Sequence, residues 1–295
     1  GTRIIGTAVI LRIPILTIVF SFFEPPGENC QHLKDTFLPE YLGNSMLLTF
    51  GVGAGTLLIG VSTAWLTAMC RFPGKNLFVW LLLLPMAMPA YIVAYTYTGM
   101  FDFAGPVQTT IRDWTGWRYQ EYFFPQIRSM GGAISMLSLV LYPYVYLLGR
   151  STFLEQSVGV MEVSRTLNCG PWTVFYRVAL PLARPAIVAG LSLALMETLA
   201  DYGTVAYFGL GVFTTGIFRT WFGLGDYTSA AKLAALLMLF VFALIIMERV
   251  SRNKAQYHNS SGKLTCFSEY RLQGFKAWGA FAICAIPIFL GFFLP

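Results

Sequence analysis

Long apolar segments with almost no charge restrict the fold of this chain more than any other feature of its sequence. A helix needs roughly 20 mostly apolar residues to cross the hydrocarbon core of a bilayer. Here the hydrophobic residues come in blocks close to that length, without the alternation of a strand or the heptads of a coiled coil. We therefore predict an all-α, polytopic membrane helix bundle. Its seven predicted spans are residues 4–23, 45–70, 77–100, 132–148, 185–208, 232–248 and 275–294.

The charge content supports a membrane protein and argues against a nucleic-acid partner. Only 12% of the residues are charged and 56% are hydrophobic, whereas a soluble domain carries about 25% charged residues. The formal net charge of +6 agrees with the Lys and Arg bias of cytoplasmic loops. We expect the lipid bilayer to surround the chain and no nucleic acid to bind it.

The distribution of Lys and Arg predicts which ends of the spans face the cytoplasm. With a cytoplasmic N-terminus, thirteen of the twenty basic residues fall in inner segments and six in outer ones. This is the asymmetry expected of cytoplasmic loops. The remaining basic residue, Arg12, lies inside the first predicted span. On this topology residues 151–181 and 251–274 are both cytoplasmic.

The loop at residues 161–181, MEVSRTLNCGPWTVFYRVALP, is long and patterned. Val160, Val163 and Leu167 recur at i, i+3 and i+7, which places them on one face of a helix. The sequence Asn-Cys-Gly-Pro at 168–171 then interrupts the pattern. From this pattern alone the loop is either an interfacial helix on lipid or a contact with another protein.

A second short helix is predicted after the interruption, because proline is favoured at the first helical position. It would begin at Pro171 and end at Pro181, where the next membrane segment approaches. Its apolar side would consist of Trp172, Phe175, Tyr176 and Ala179.

The same loop resembles the EAA loop of ABC-importer permeases, EAA-x3-G-x9-I-x-L-P. Glu162, Leu180 and Pro181 fall at the spacings of that motif. Asn168 stands where the family has glycine, and asparagine tolerates the left-handed backbone that a glycine there supplies. The other departures are Val163 and Ser164 for the two alanines and Val178 for isoleucine.

This resemblance implies a six-helix permease half whose cytoplasmic loop is a coupling helix that docks on a separate ATPase subunit. ATP and Mg²⁺ would bind that ATPase, and this chain would hold no cofactor and catalyse no reaction. The sequence agrees with a separate motor, since it contains no GxxxxGK[ST] phosphate-binding motif. The implied coupling residues are Val160, Glu162, Val163, Arg165, Leu167, Asn168, Gly170 and Pro181.

The order of the predicted spans divides the chain into two units. Residues 1–250 would form a six-span permease domain, with the coupling loop at 151–181. Residues 251–274 contain the polar stretch NKAQYHNSSGK, which is typical of a flexible linker. A single span at 275–295 follows, and we expect it to be the first span of a second permease half.

Two carboxylates lie within the fifth predicted span, in ALMETLADYGTVAYFG. Glu197 and Asp201 are four residues apart, so a continuous helix would place both on one face. Placing a carboxylate at membrane depth costs free energy unless the group faces protein or water. Glu197 and Asp201 either line a cation path or gate, or have a structural role, hydrogen-bonded to neighbouring helices or capping a break at Gly203.

The third predicted span contains two prolines and three tyrosines. Pro85 and Pro89 remove helical hydrogen bonds and are expected to kink the helix. A kinked helix with tyrosines suits a pathway, whereas the interfacial aromatic belt is the favoured place for Tyr97. The candidate pathway residues are therefore Glu197, Asp201, Tyr202, Tyr91 and Tyr95, and no metal ligand is assigned.

Three glycines, Gly51, Gly55 and Gly60, recur in the second predicted span. Small residues let helix backbones approach closely in membranes. We therefore predict that these glycines pack against another helix and have no chemical role.

The sequence LADYGTVAYFG, followed by FTTGIFRTWFGLGDYTSAAKLA, resembles the ferric-iron transport permeases of bacteria more closely than other permeases. The resemblance covers residues 41–252, and its iron-specific part rests on 197–221. It implies that a periplasmic binding protein delivers ferric ion to the outer face of the bacterial inner membrane. It also implies a second permease half, fused or separate. Related permeases carry polyamines, thiamine, sulfate or phosphonates, and these solutes stay as alternatives. An ion-coupled secondary transporter is a further alternative, which Glu197 and Asp201 could serve.

Overall fold

The computed structural model describes residues 18, 20, 36–118, 121–155, 171–253 and 269–295. Helices dominate this part of the chain, and its two short strands pair with each other. The helices are α1 (Leu38–Met69), α2 (Lys75–Leu81), α3 (Ala90–Phe101), α4 (Pro106–Thr115), α5 (Met130–Glu155), α6 (Trp172–Ala200), α7 (Gly203–Tyr207), α8 (Phe213–Phe218), α9 (Tyr227–Asn253) and α10 (Phe275–Phe293). The strands are β1 (Cys70–Arg71) and β2 (Tyr270–Arg271).

Five of these helices, α1, α5, α6, α9 and α10, are long and apolar enough to cross a membrane. Lys75–Ala87 and Ala90–Thr115 would add a sixth span if taken together, although they are bent by 88°. The first predicted span, 4–23, lies outside the described residues except for Ile18 and Phe20. The all-α membrane bundle is confirmed. Four predicted spans also appear as membrane-length helices, at residues 45–70, 132–148, 232–248 and 275–294.

The prediction of one kinked helix at 77–100 is wrong. Helix α2 ends at Leu81, a 3-10 turn covers Leu84–Ala87, and α3 begins only after Pro89. A proline disfavours helical backbone at the preceding residue, and Met88 is extended, with φ −96° and ψ 128°. The two prolines therefore break the segment into two helices at a steep angle.

The fifth span begins earlier and ends earlier than the predicted 185–208. Helix α6 runs through Pro181 without interruption, so Pro181 does not end a separate short helix. The turn at Phe175–Ala179 is π-helical, and the Leu180 amide donates to the carbonyl of Phe175. Proline ordinarily clashes with the carbonyl four residues before it, and π turns are known sites where a helix ladder is rearranged. We attribute the continuity of α6 to this widened turn.

The start of α6 buries only one side of its aromatic cluster. Phe175 packs against Trp65 of α1, with ring centroids 4.8 Å apart, and Trp65 packs edge-on against Phe153 of α5 at 5.5 Å. Trp172 and Tyr176 are 68% and 61% exposed. Of the predicted apolar side, Phe175 and Ala179 are buried in this chain, whereas Trp172 and Tyr176 are exposed beside them. The buried cluster joins the end of α1, the end of α5 and the start of α6 at one face of the bundle.

Helices α1 and α5 pack closely along the glycines of α1, as predicted. Gly51, Gly55 and Gly60 all face α5. A β-carbon at Gly60 would lie 2.7 Å from Cβ of Val145 and 3.0 Å from the carbonyl oxygen of Tyr142. Because one of these atoms belongs to the backbone, α5 has little freedom to yield at this position.

Helix α10 packs onto the bundle formed by the earlier spans. Ala277, Ala280 and Cys284 are buried in the same core as Trp65. Glu269, which precedes α10, forms an ion pair with Lys75 at the start of α2, and its Oε1 lies 2.8 Å from Lys75 Nζ. Residues on the two sides of the predicted boundary at 274/275 therefore share contacts with α1 and α2.

The interfacial position favoured for Tyr97 is wrong. Its side chain is 3% exposed, and its hydroxyl donates a hydrogen bond to the backbone carbonyl of Leu290 in α10. An amphipathic ring suits a buried position when its hydroxyl finds an acceptor. This acceptor lies 193 residues away in the chain, so no local pattern indicates it.

Replacing Gly60 with alanine should lower the free energy of unfolding by about 1–3 kcal/mol, because the new methyl group overpacks the α1–α5 contact. At Gly43, in the same helix, a β-carbon would have no neighbouring atom within 4 Å. Gly43→Ala is therefore a matched control and should be neutral or slightly stabilising, since alanine is the better helix former. Thermal unfolding in detergent compares the two, and equal midpoints would contradict the close packing.

Candidate translocation site

The break between α6 and α7 is held by the side chain of Asp201. Asp201 is extended, with φ −67° and ψ 126°. Its Oδ2 accepts hydrogen bonds from the amides of Thr204 at 3.0 Å and Val205 at 3.2 Å, and its Oδ1 accepts one from the Thr204 hydroxyl at 3.0 Å. The Asp201 carbonyl accepts a further bond from the Thr214 hydroxyl at 2.9 Å. The carboxylate thus satisfies amides at the start of α7 that have no helical partner.

Glu197 and Asp201 do not share a continuous helix, because α6 ends at Ala200. Asp201 directly follows that end and keeps a helical φ of −67°, so the four-residue spacing still places the two carboxylates near each other. Asp201 is half-buried, and its carboxylate accepts hydrogen bonds from α7. It therefore caps the break near Gly203, which is the structural role considered in the sequence analysis. Glu197 is exposed and makes no side-chain hydrogen bond or ion pair to another described residue. Of the two carboxylates, Glu197 is the one available to a solute.

Two predicted pathway tyrosines on α3 lie against the segment that follows the α6 break. The Cβ of Tyr91 is 3.0 Å from the position that a β-carbon would take at Gly203, so the two helices approach closely there and a side chain at Gly203 would displace Tyr91. Tyr95 packs edge-to-face on Tyr207 of α7, with ring centroids 5.7 Å apart. Tyr91 and Tyr95 are both exposed. Their position follows from the break at Pro89, which directs α3 across α7.

Tyr202 lines a cavity of about 580 Å³ at the N-terminal end of α1. We call this end of the bundle outer, and we call inner the opposite end, where α5 ends at Glu155. The ring of Tyr202 stacks on Phe218 with centroids 3.9 Å apart. Glu40 and Arg219 also line this cavity, and the guanidinium of Arg219 lies 5.1 Å from the ring centroid of Phe37. Neither Glu40 nor Arg219 is among the candidate site residues of the sequence analysis. Only the association of α1 with a segment far along the chain brings them together.

Polar contacts from α1 hold the loop before α8 in place beside this cavity. The Asn44 side-chain amide donates to the carbonyl of Gly211 at 2.9 Å. The Phe213 amide donates to the hydroxyl of Ser45 at 3.1 Å. The outer end of α1 therefore positions the residues that follow the α6–α7 break.

The structure brings Tyr91, Tyr95, Asp201 and Tyr202 to one region, with Glu197 one turn earlier on α6. Phenol and carboxylate oxygens are the groups that this region presents. Helices α3 and α7 contain no Lys or Arg, and neither does α6 after Arg184. Among the described residues no group of three or more His, Cys, Asp and Glu could hold a metal ion. The arrangement offers dispersed oxygen donors and no closed metal site.

Most of the predicted coupling residues lie outside the described residues. These are Val160, Glu162, Val163, Arg165, Leu167, Asn168 and Gly170. Pro181 is described and lies within α6. Trp172 and Tyr176 follow the loop directly and stack with centroids 6.3 Å apart. This pair presents an exposed aromatic surface at the face where the loop emerges.

The broken helices and the polar region between them define a multi-span membrane protein with the fold of an ABC transporter membrane chain. A bacterial alginate ABC transporter, in complex with an alginate pentasaccharide-bound periplasmic protein, has a chain with this fold. It matches with a TM-score of 0.67 and 14% identity, over 86% of this chain and 94% of that chain. Residues 56–256 match the family model of the binding-protein-dependent transport system inner membrane component. The chain belongs to this family.

Two relatives illustrate the range of proteins similar to this chain. It is 27% identical over 226 residues to the Fe(3+)-transport system permease protein FbpB 2 of Haemophilus influenzae, which covers 76% of this chain and 40% of the relative. It is 29% identical over 210 residues to the molybdenum transport system permease protein ModB of Escherichia coli K12, which covers 68% and 89%. The chain thus spans less than half the length of the ferric relative.

Asp201→Ala should lower the free energy of unfolding by about 1 kcal/mol, because it leaves the first amides of α7 without their acceptor. Glu197→Ala should change stability by less than about 0.5 kcal/mol, as expected for an exposed residue without partners. Thermal unfolding of the purified variants measures both. Equal losses would show that the carboxylate of Asp201 does not hold the break.

Proposed function

We propose that this chain is the transmembrane permease subunit of an ATP-driven ABC importer that translocates ferric iron. A periplasmic binding protein would deliver the ion, and separate ATPase subunits would bind ATP and Mg²⁺. The observation that carries the choice of cation is the region of oxygen donors beside the α6–α7 break. It contains Glu197, a carboxylate without a hydrogen-bond or ion-pair partner among the described residues, and its helices carry no basic residue there.

The chemistry of this region suits a hard cation in transit. Carboxylate and other oxygen ligands are preferred by hard metal ions. Passage requires binding that is favourable enough for entry and weak enough for release. Dispersed tyrosines with one free carboxylate meet that requirement better than a site with three or four converging ligands.

An anionic solute is the second candidate, because Arg219 lines the outer cavity beside Tyr202. The similarity to a molybdenum permease points in the same direction. Glu40 lines the same cavity and offsets the charge of Arg219, and Arg219 already contacts the ring of Phe37. We therefore favour a cation over an anion as the transported solute.

A second permease half would complete the pathway. Tyr91, Tyr95 and Tyr202 are exposed at the region that we propose lines the path. Polar groups at membrane depth need protein or water on their open side. A second half, on the same or another chain, would supply the facing wall.

Coupling to the ATPase would occur at the face where the loop at 156–170 emerges, and we propose that this face is cytoplasmic. The aromatic cluster of Trp65, Phe153 and Phe175 lies at this face. Arg71 and Lys75 follow α1 there, as the bias of basic residues toward the cytoplasm requires. Glu162 within the loop would supply the polar contact to the motor, by its position in the motif.

Glu197→Gln should reduce uptake of radioactive ferric iron about tenfold, equivalent to about 1.4 kcal/mol on the barrier, because it removes the free carboxylate of the path. Binding of the ATPase should be unchanged. The control is Asp113→Asn, which likewise replaces a carboxylate with a neutral amide, at an exposed position on α4. This variant should retain uptake. Normal uptake by Glu197→Gln would exclude a role of its charge.

Glu162→Lys should uncouple transport by placing the wrong charge at the joint with the ATPase. Uptake and co-purification of the ATPase should both fall, while the membrane bundle keeps its thermal unfolding midpoint. Reversing the charge at Glu155, which is exposed at the end of α5, tests whether any charge change near the loop has this effect. Normal co-purification and uptake with Glu162→Lys would refute the proposed coupling role.

A further inference from the structure

Two arginines face each other where the first bundle meets the segment leading into α10. Strands β1 and β2 pair in parallel, with Arg71 opposite Arg271 and Cys70 opposite Tyr270. The Leu272 amide donates to the carbonyl of Arg71 at 3.1 Å. Residues opposite each other in a ladder project from the same face of the sheet, and like charges there are destabilising. Both arginines are exposed, so the structure holds two positive charges side by side.

The rest of the described chain does not neutralise these charges. Glu269 is the carboxylate nearest in sequence, and its Oε1 is already paired with Lys75 Nζ at 2.8 Å. The side chain of Lys75 is 12% exposed and that of Glu269 is 35% exposed, so the pair is partly buried. Neither arginine makes a side-chain hydrogen bond or ion pair within the part of the chain that the structure describes. Within the described residues, the two guanidinium groups therefore have no compensating charge.

A cavity of about 730 Å³ lies at this junction. Arg71, Lys75, Asn76, Glu269 and Arg271 contribute to its lining. With one carboxylate against three cations, the lining carries two net positive charges. A guanidinium binds the oxygens of a phosphate group through two parallel hydrogen bonds. A phosphate diester carries one negative charge on two free oxygens, so it can accept hydrogen bonds from two adjacent guanidinium groups and offset part of their charge.

The surroundings of the cavity place it at the surface of the bilayer. Helix α2 follows β1 and exposes Trp80, while α10 follows β2 and exposes Phe275 and Trp278. Phe275 is 93% exposed. Tryptophan is enriched at the level of the lipid headgroups, and basic residues at that level attract anionic lipids. An anion that reaches this cavity beside such residues is most simply a lipid headgroup.

We propose that Arg71 and Arg271 bind the phosphate of an anionic phospholipid from the adjacent leaflet. The lipid offsets the repulsion between the two guanidinium groups and links the end of α1 to the start of α10. A zwitterionic headgroup brings its own ammonium and leaves part of the repulsion in place. Free phosphate shares the recognition chemistry but lacks the acyl chains that the exposed aromatic residues would contact.

The test is lipid binding by the intact membrane protein and its Arg71→Gln/Arg271→Gln variant. Native mass spectrometry after transfer from nanodiscs containing phosphatidylglycerol should show a retained lipid on the wild type. The double variant should lose this lipid about tenfold, equivalent to about 1.4 kcal/mol. Arg177→Gln removes an exposed arginine that does not line the cavity, and it should retain the lipid. Equal retention by the wild type and the double variant would overturn the proposal.

Thermal unfolding in two lipids separates this site from a general surface effect. In pure phosphatidylcholine, Arg271→Gln should raise the unfolding midpoint, because it removes the like-charge contact. In phosphatidylglycerol the same change should lower the midpoint, because it removes a ligand of the lipid. The same sign in both lipids would overturn the proposal. So would stabilisation of the wild type by inorganic phosphate in phosphatidylcholine equal to that by phosphatidylglycerol, which would assign the site to free phosphate.

Discussion

The constraint on which this structure depends is that backbone amides and carbonyls in a bilayer must be satisfied within the protein. Irregular backbone at membrane depth is tolerated only where it is buried in protein or lines a water-filled cavity. The chain breaks its helices at Pro85–Pro89 and again between Ala200 and Gly203. These two breaks meet, because α3 after the first packs on α7 after the second. The candidate translocation site lies where they meet.

Each break is stabilised by a different local device. At the first, a 3-10 turn and extended Met88 carry the chain between two prolines that cannot donate hydrogen bonds. At the second, the Asp201 carboxylate replaces the missing acceptors of α7. Asp201 is therefore committed to the scaffold, whereas Glu197 on the preceding turn stays exposed. Two acidic residues that look equivalent in sequence thus have different surroundings.

Much of the fold can be predicted from the sequence, since apolar length alone locates α1, α5, α9 and α10. The errors concern prolines and aromatic residues. The sequence pattern predicts a helix end at Pro181, yet a π-helical turn lets α6 continue through it. The pattern also favours the interface for Tyr97, yet this residue is buried against Leu290. In each case the outcome depends on a neighbouring turn or a distant segment, which hydrophobic periodicity does not register.

The sequence by itself determined that this protein is a bundle of membrane helices, that prolines distort its third span, and that its loop before α6 resembles a coupling motif. Tertiary structure alone decided which side chains meet. It placed Lys75 beside Glu269, 194 residues later, and set Arg71 opposite Arg271. It also gave the carboxylate of Asp201 hydrogen-bond donors in α7 that Glu197 does not have among the described residues. The physical reason is that apolar length and local spacing are properties of single segments, whereas these contacts arise only from how separate segments pack.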